Sequence, residues 1–221
     1  MNISISSFYY KSKLLAVLFS GLLLLIFTQP VAGQKSKSSL QVSPYTGYVV
    51  GGKIRVSTGD LSVNDSQNYG IFVEFPVQRQ VNAEFYYSYQ PTYMNFWHLR
   101  DGTTEKLFDM DVHYFMLSGH YEYPTSNNII WFGSFGLGAS IFSPKNTIEY
   151  SDEWRFTVNL GGGAKIFFSD IIGIRLQALM NIPIQWGGTG FYFGSGGGGL
   201  SVGGGSTFVQ GNFLAGLVFR L

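Results

Sequence analysis

Few residues in the chain are of a type that could carry chemistry. The histidines are His98, His113 and His120, and there is no cysteine. A histidine acting as general base needs a nucleophile beside it and a carboxylate to orient it. The histidine triplets read His98-Leu99-Arg100, His113-Tyr114-Phe115 and His120-Tyr121-Glu122. Ser118 lies two residues before His120, but the sequence identifies no orienting carboxylate for that pair. The histidines form no cluster with metal-ligand spacing, and the missing cysteines remove thiolate sites. The run Gly194-Ser195-Gly196-Gly197-Gly198-Gly199 formally contains G-x-G-x-x-G. No helix follows it and there is no Walker lysine, so it does not read as a phosphate cradle. It belongs to a stretch from Gly187 to Gly205 in which 11 of 19 residues are glycine. That stretch reads as a loop carrying Phe191, Tyr192 and Phe193. No catalytic, cofactor or metal residue is expected.

What remains is a set of charges recurring at alternate positions: Lys53, Arg55, Glu74, Glu84, Asp111, His113, Arg155, Lys165 and Arg175. They interleave with small residues such as Gly161, Gly163 and Gly173. The opposite phase is apolar: Trp154, Phe156, Val158 and Leu160 in one run, Ile172, Ile174, Leu176 and Ala178 in the next. Strict alternation over this length predicts strands. Eight are expected, near 42–56, 68–77, 81–93, 109–122, 129–142, 153–168, 171–184 and 207–221. Short turns join the second to the third, the fourth to the fifth and the sixth to the seventh. The other four connections are longer. In an up-and-down barrel this places every long loop at one end and every short turn, with both termini, at the other.

Alternation fits two closed barrels. A soluble, lipocalin-like ligand carrier turns its apolar face inward, and a membrane barrel turns it outward. The polar face decides between them. It carries charges of both signs among glycines, which suits a cramped eight-stranded interior better than a water-facing surface. The apolar face carries almost no charge, which suits lipid. The nine charged residues are therefore expected in two interior networks. Glu74, Glu84, Lys165 and Arg175 fall toward the short-turn end, and Lys53, Arg55, Asp111, His113 and Arg155 toward the long-loop end. They read first as a polar plug, and as a ligand or proton site around Asp111 and His113 in the sharper version. Trp97, Trp154 and Trp186 near the long-loop end and Trp131 near the short-turn end take interfacial positions, with Tyr45, Tyr123 and Phe219 near the latter.

Composition supports this choice. Charged residues are 12% of the chain and aromatics 17%, with 29 glycines in 221 residues. Disordered chains are charged and poor in aromatics. A formal net charge of +1 gives no footprint for nucleic acid. At the N-terminus, Lys11 and Lys13 precede an uncharged run from Leu14 to Phe27, then Val31-Ala32-Gly33. This has the layout of a secretory signal peptide. The expected organisation is a cleaved signal at 1–33, a short linker at 34–40 and a barrel at 41–221.

With the signal, the eight-run layout and the ending Phe213-Leu214-Ala215-Gly216-Leu217-Val218-Phe219-Arg220-Leu221, the chain resembles the small eight-stranded outer-membrane barrels of Gram-negative bacteria, of the OmpX and OmpA membrane-domain type. The resemblance covers 40–221. It implies an all-β, antiparallel transmembrane barrel with both termini periplasmic, surrounded by outer-membrane lipid and inserted by the barrel-assembly machinery. Family members commonly end on a terminal aromatic, whereas this chain ends on Leu221 with its aromatic at Phe219. No cofactor is implied. The expected role is structural, or contact with an extracellular partner through the long loops. A lipid-modifying enzyme on the same barrel is the alternative, although the His-x-Ser motif of the lipid A deacylases is not among the triplets above. A large pore is not expected, because eight-stranded interiors are filled.

Overall fold

The computed structural model describes residues 39–56, 59–125, 128–145, 151–184, 192–195, 198–201 and 209–221. The signal segment, Trp186 and Phe191 lie outside the described residues. The strands are β1 (Gln41–Val50), β2 (Lys53–Val56), β3 (Gly59–Val63), β4 (Ser66–Gln78), β5 (Val81–His98), β6 (Thr104–Pro124), β7 (Ile129–Pro144), β8 (Glu153–Phe167), β9 (Ile172–Ile184), β10 (Tyr192–Ser195), β11 (Gly198–Ser201) and β12 (Gln210–Arg220). Eight of them form a closed antiparallel ring in the order β1, β4, β5, β6, β7, β8, β9, β12 and back to β1. Closure leaves no free edge in the wall. The ring is the expected eight-stranded barrel.

The alternation of burial shows which face is inside. On β8, Arg155, Thr157, Asn159 and Lys165 are buried while Trp154, Phe156 and Leu160 are exposed. On β9, Arg175, Gln177 and Asn181 are buried while Leu176 and Met180 are exposed. On these two strands polar groups line the lumen and large apolar groups cover the outside, as they do when the outer wall meets lipid.

Three strand expectations change. First, the strand expected over 42–56 is interrupted after Val50. The alternation breaks at Gly51 and Gly52, and β2 then continues in the direction of β1, paired with β3 as β1 is paired with β4. Gly51 permits this because its α-carbon lies against the backbone carbonyl of Val63, leaving no room for a side chain. The Gly51 N–H donates to Asp65 Oδ1 at 2.7 Å and the Val63 N–H to the Gly52 carbonyl at 3.2 Å. Second, the loop expected from Met94 to Phe108 is mostly strand, since β5 continues to His98 and β6 starts at Thr104. A register shift at Met94/Asn95 makes Leu107 an extra residue on β6. That bulge breaks the alternation by which the strand would be recognised. Third, the loop between β1 and β4 is not irregular: β3 pairs with the upper part of β5, from Gly59↔His98 to Val63↔Met94.

The β5–β6 hairpin therefore outgrows the ring. Pairing of β4 with β5 ends at Tyr69↔Tyr89, and pairing of β7 with β6 ends at Met110↔Pro144. Beyond those rows β3 occupies the flank of β5. From Met110 to Thr104 the extension is roughly 20 Å at about 3.4 Å per residue.

The lumen has two halves. Toward the long-loop end it is apolar: Leu61 and Val63 of β3, Met94 and Phe96 of β5, Phe108, Met110 and Val112 of β6 and Phe142 of β7 are all buried in one cluster. Toward the short-turn end it is charged.

Candidate functional site

The charged half forms from residues that neighbouring strands place side by side. Glu74 of β4 is directly opposite Glu84 of β5, and Lys165 of β8 is directly opposite Arg175 of β9. Like charges in such positions repel. In the ring, however, the two pairs lie half a turn apart, so each faces the other across the lumen. Arg175 donates through Nη1 to Glu74 Oε1 at 2.7 Å and through Nη2 to Glu84 Oε2 at 2.6 Å. Lys165 Nζ donates to Glu74 Oε2 at 2.5 Å and to Glu122 Oε1 at 2.6 Å. The amide oxygen of Gln41 accepts from Lys165 at 3.0 Å, and that of Gln177 accepts from Arg175 Nε at 3.0 Å.

The guanidinium also lies over the Phe72 ring, 3.7 Å from its centroid, and 4.8 Å from that of Phe132. His120 stacks on Phe132 at 4.4 Å between centroids, with Glu84, Glu122 and Glu74 oxygens 3.4, 3.7 and 3.8 Å from its ring nitrogens. Glu74, Glu84, His120, Lys165 and Arg175 are all buried. Unpaired ions would cost several kcal/mol each in such a place. Here each ion has a partner, and the bridges cross the lumen.

Of the nine charged residues expected inside, Glu74, Glu84, Lys165 and Arg175 meet in this lock. Arg155 is also inside, with Nε donating to Glu153 Oε1 at 2.8 Å. Of the remaining four, Lys53, Asp111 and His113 do not join it. Lys53 is exposed on the β2–β3 hairpin, and Arg55 is on the same hairpin, where its backbone pairs with Asp60. Lys53 leaves the lumen because the break at Gly51 and Gly52 shifts the phase: Tyr45 and Val49 are buried before it, whereas after it Gly52 is buried and Lys53 exposed.

Asp111 and His113 lie on the outer face of β6. The inward phase of that strand is Met110, Val112, Tyr114, Met116, Ser118 and His120, all buried. Both phases of β6 are rich in large apolar residues, with Phe115 and Leu117 outward, so apolar periodicity cannot choose between them. The polar residues also conflict: Asp111 and His113 are odd, Ser118, His120 and Glu122 even. His120 and Glu122 are the lock members missed from sequence, and their parity with Ser118 was the available signal.

The carboxylates absent from the sequence reading of His120 are thus present, three of them. The hydroxyl is not in place. Ser118 Oγ donates to Asn159 Oδ1 at 3.4 Å, and the site is sealed from substrate. Glu74, His120 and Glu122 have ligand atoms close enough to hold a metal ion. The Lys165 ammonium bonds to both of those carboxylates, so the position is already filled by a cation.

Outside the ring, Asp111 and His113 organise a second polar group. Asp111 Oδ1 accepts from Lys145 Nζ at 2.7 Å and from the Tyr89 hydroxyl at 3.1 Å. The bond to Asp111 pushes the pKa of Lys145 up. The Tyr87 hydroxyl is 3.2 Å from His113 Nδ1, and the His113 ring lies 5.2 Å from Tyr89 and 6.2 Å from Tyr87 between centroids. Higher on the same face, Lys106 pairs with Asp109 at 2.7 Å and sits over Tyr93.

The expected interfacial tryptophans also separate. Trp131 is exposed beside Tyr123 at the short-turn end, and Trp154 is exposed and faces Ile141, which in turn faces His113. Trp97 faces Thr104, nine residues of β6 beyond His113, so it belongs to the protruding hairpin and not to the row of Trp154. Tyr45 points inward, its ring tilted at 37° to that of Phe72 with 4.8 Å between centroids.

A sequence model of the family described as "Outer membrane protein beta-barrel domain" matches residues 19–184. No curated protein sequence matches the chain at a significant level. Among solved structures, the crystal structure of the outer membrane protein OprG from Pseudomonas aeruginosa is similar at a TM-score of 0.52 and 10% identity, with 83% of this chain and 97% of that one covered. That of Neisserial surface protein A (NspA) is similar at 0.51 and 12% identity, covering 82% and 97%. At such identities the likeness is one of fold.

Proposed function

The chain belongs to the outer membrane protein β-barrel domain family, and from that premise we propose that it is a non-enzymatic surface protein whose sealed barrel holds a rigid extracellular contact element. The observation that carries this is the β5–β6 hairpin, which rises past the ring with β3 along its flank, above a lumen blocked by Arg175, Lys165 and their carboxylates. A transport pore would need an open path, and a contact protein needs a stiff projection. Regular strand pairing stiffens the projection in a way that an irregular loop of the same length would not.

In this reading residues 1–33 are a cleaved signal, 34–40 a linker and 41–221 the barrel, with both termini in the periplasm. Outer-membrane lipid surrounds the wall, and the barrel-assembly machinery inserts it. The partner is a protein or surface outside the cell.

Orientation can be tested directly because the native chain has no cysteine. Asp101→Cys places a thiol at the β5–β6 tip, and Asp170→Cys places one in the short β8–β9 turn. A membrane-impermeant maleimide added to intact cells should label the first and leave the second until the outer membrane is permeabilised. The reverse pattern refutes the orientation. Replacing residues 95–106 by a two-residue turn should abolish adhesion or aggregation of expressing cells without lowering the heat-modifiable barrel in the outer membrane. Unchanged adhesion refutes the contact role.

A further inference from the structure

The polar group on the outer wall is not explained by a contact element. Tyr87, Tyr89, Asp111 and His113 share the face that carries exposed Phe115 and Leu117 lower down. That face meets lipid. Charge is costly at the middle of the bilayer and nearly free at its interfaces. Asp111 is opposite Ser143, and Lys145 directly follows the last residue of β7, so the group lies at the end of the wall, at headgroup level.

Its hydrogen bonding leaves a defined set of unused groups among the described residues. Nδ1 of His113 is taken up by the Tyr87 hydroxyl, and Nε2 has no described partner; in the tautomer in which Nδ1 accepts, Nε2 carries the proton and is a donor. Lys145 spends one N–H on Asp111 and lies within hydrogen-bond reach of the Tyr89 hydroxyl, which leaves it at least one more N–H. Asp111 uses Oδ1 for both of its bonds and keeps Oδ2 as an acceptor. The rings of Tyr87 and Tyr89 flank these groups as apolar platforms.

The geometry points to a binding site for the phosphorylated sugar headgroup of an outer-leaflet glycolipid. Phosphate oxygens accept from Lys145 and from His113 Nε2, where charge-assisted bonds are strongest. A sugar hydroxyl donates to Asp111 Oδ2, and the C–H face of the sugar packs on the tyrosine rings. A diacyl phospholipid offers the phosphate but no ring, which makes it the poorer ligand. The site rests on the proposed orientation only for which leaflet supplies the lipid.

The test uses the full mature chain folded in detergent micelles. It is titrated with a bisphosphorylated diglucosamine lipid, with the same lipid after dephosphorylation, and with phosphatidylglycerol, and binding is read by native mass spectrometry. The wild type should retain the bisphosphorylated glycolipid at least tenfold more tightly than either comparison lipid. The double variant Lys145→Met, His113→Phe should lose at least tenfold toward that ligand alone, and Asp111→Asn should weaken it less. Heat-modifiable mobility identifies variants that remain folded. If the double variant is misfolded, Tyr89→Phe and Lys145→Met singly serve the same comparison. Equal retention of all three lipids, or equal retention by folded variants, overturns the site. The micelle measurement does not depend on orientation, so failure of the maleimide experiment alone refutes the orientation and leaves the site standing.

Discussion

Arg175→Met tests whether the lock holds the barrel together. The side chain loses its fork to Glu74 and Glu84, at 2.7 and 2.6 Å, and the guanidinium that lies 3.7 Å over the Phe72 ring. Glu74 retains Lys165 at 2.5 Å. Glu84 retains only the His120 ring at 3.4 Å among the contacts described. The substitution therefore leaves one buried carboxylate almost without a cation, directly beside another carboxylate. Removing one partner of a buried pair costs about 3–5 kcal/mol. That is about two to four orders of magnitude in the unfolding equilibrium. Glu84→Gln in the same background removes the stranded charge and should return about half of the loss. The coupling between the two sites would then fall at the upper end of the roughly 0.5–3 kcal/mol seen for contacting residues. The assay is reversible urea unfolding in lipid vesicles, followed by tryptophan fluorescence and gel mobility. A loss below about 0.5 kcal/mol, the size of an ordinary surface change, refutes the reasoning. So does a double variant no better than the single one.

Arg175→Lys should cost nearly as much as Arg175→Met, because one ammonium cannot reproduce a planar fork to two carboxylates; restoration of wild-type stability in urea titration would contradict this. Leu160→Arg places a charge on the outer wall between Phe135 and Met180 and should cost roughly 2–4 kcal/mol in vesicles; a neutral result would mean that this face is not lipid-exposed. Gly163→Ala drives a Cβ into the Leu176 backbone carbonyl and within 2.9 Å of Gln177 Cα and the Phe132 ring, and should destabilise by about 1–3 kcal/mol or more. Gly133→Ala meets nothing nearer than 4.0 Å and should be neutral or stabilising by up to about 1 kcal/mol, and the pair of melting curves distinguishes the two positions. Planar-bilayer recording of the wild type should show no sustained porin-sized conductance.

The alternation of β8 and β9 was legible because their two faces differ in kind. Arg155, Lys165, Arg175 and their glycine neighbours alternate with Trp, Phe, Leu and Ile, so side and period emerge together. In β6 the same method fails for a physical reason. This part of the lumen is apolar, and Met110, Val112 and Met116 inside are as apolar as Phe115 and Leu117 outside. Phase had to come from the polar minority, and Asp111 with His113 outvoted Ser118 with His120 on charge. The break in alternation at Gly51 and Gly52 and the bulge at Leu107 were hidden differently. Each moves the chain by a close backbone approach or one extra residue, and neither leaves a mark in residue type beyond a glycine pair. The lock itself was half visible. Four of its charges and their common depth could be read, but which wall faced which depended on closure.

Closure gives the charge pattern its meaning. Two strands separate the Glu74–Glu84 wall from the Lys165–Arg175 wall in either direction around the ring: β6 and β7 one way, β12 and β1 the other. In an open sheet the two carboxylates would lie adjacent, the two cations would lie adjacent, and neither pair could reach the other. The repulsion within each pair is thus a penalty on every unclosed arrangement, and the attraction between pairs appears only when β12 meets β1. A register slip of one residue in any of the four strands would turn its charge toward lipid. The lock therefore acts as a check on the assembled ring as well as a plug within it. This accounts for its position near the short turns, where the strands are joined most tightly and their relative heights are most closely set. The apolar upper lumen carries no such discrimination, and there the chain can depart from the ring to form β2, β3 and the projecting hairpin.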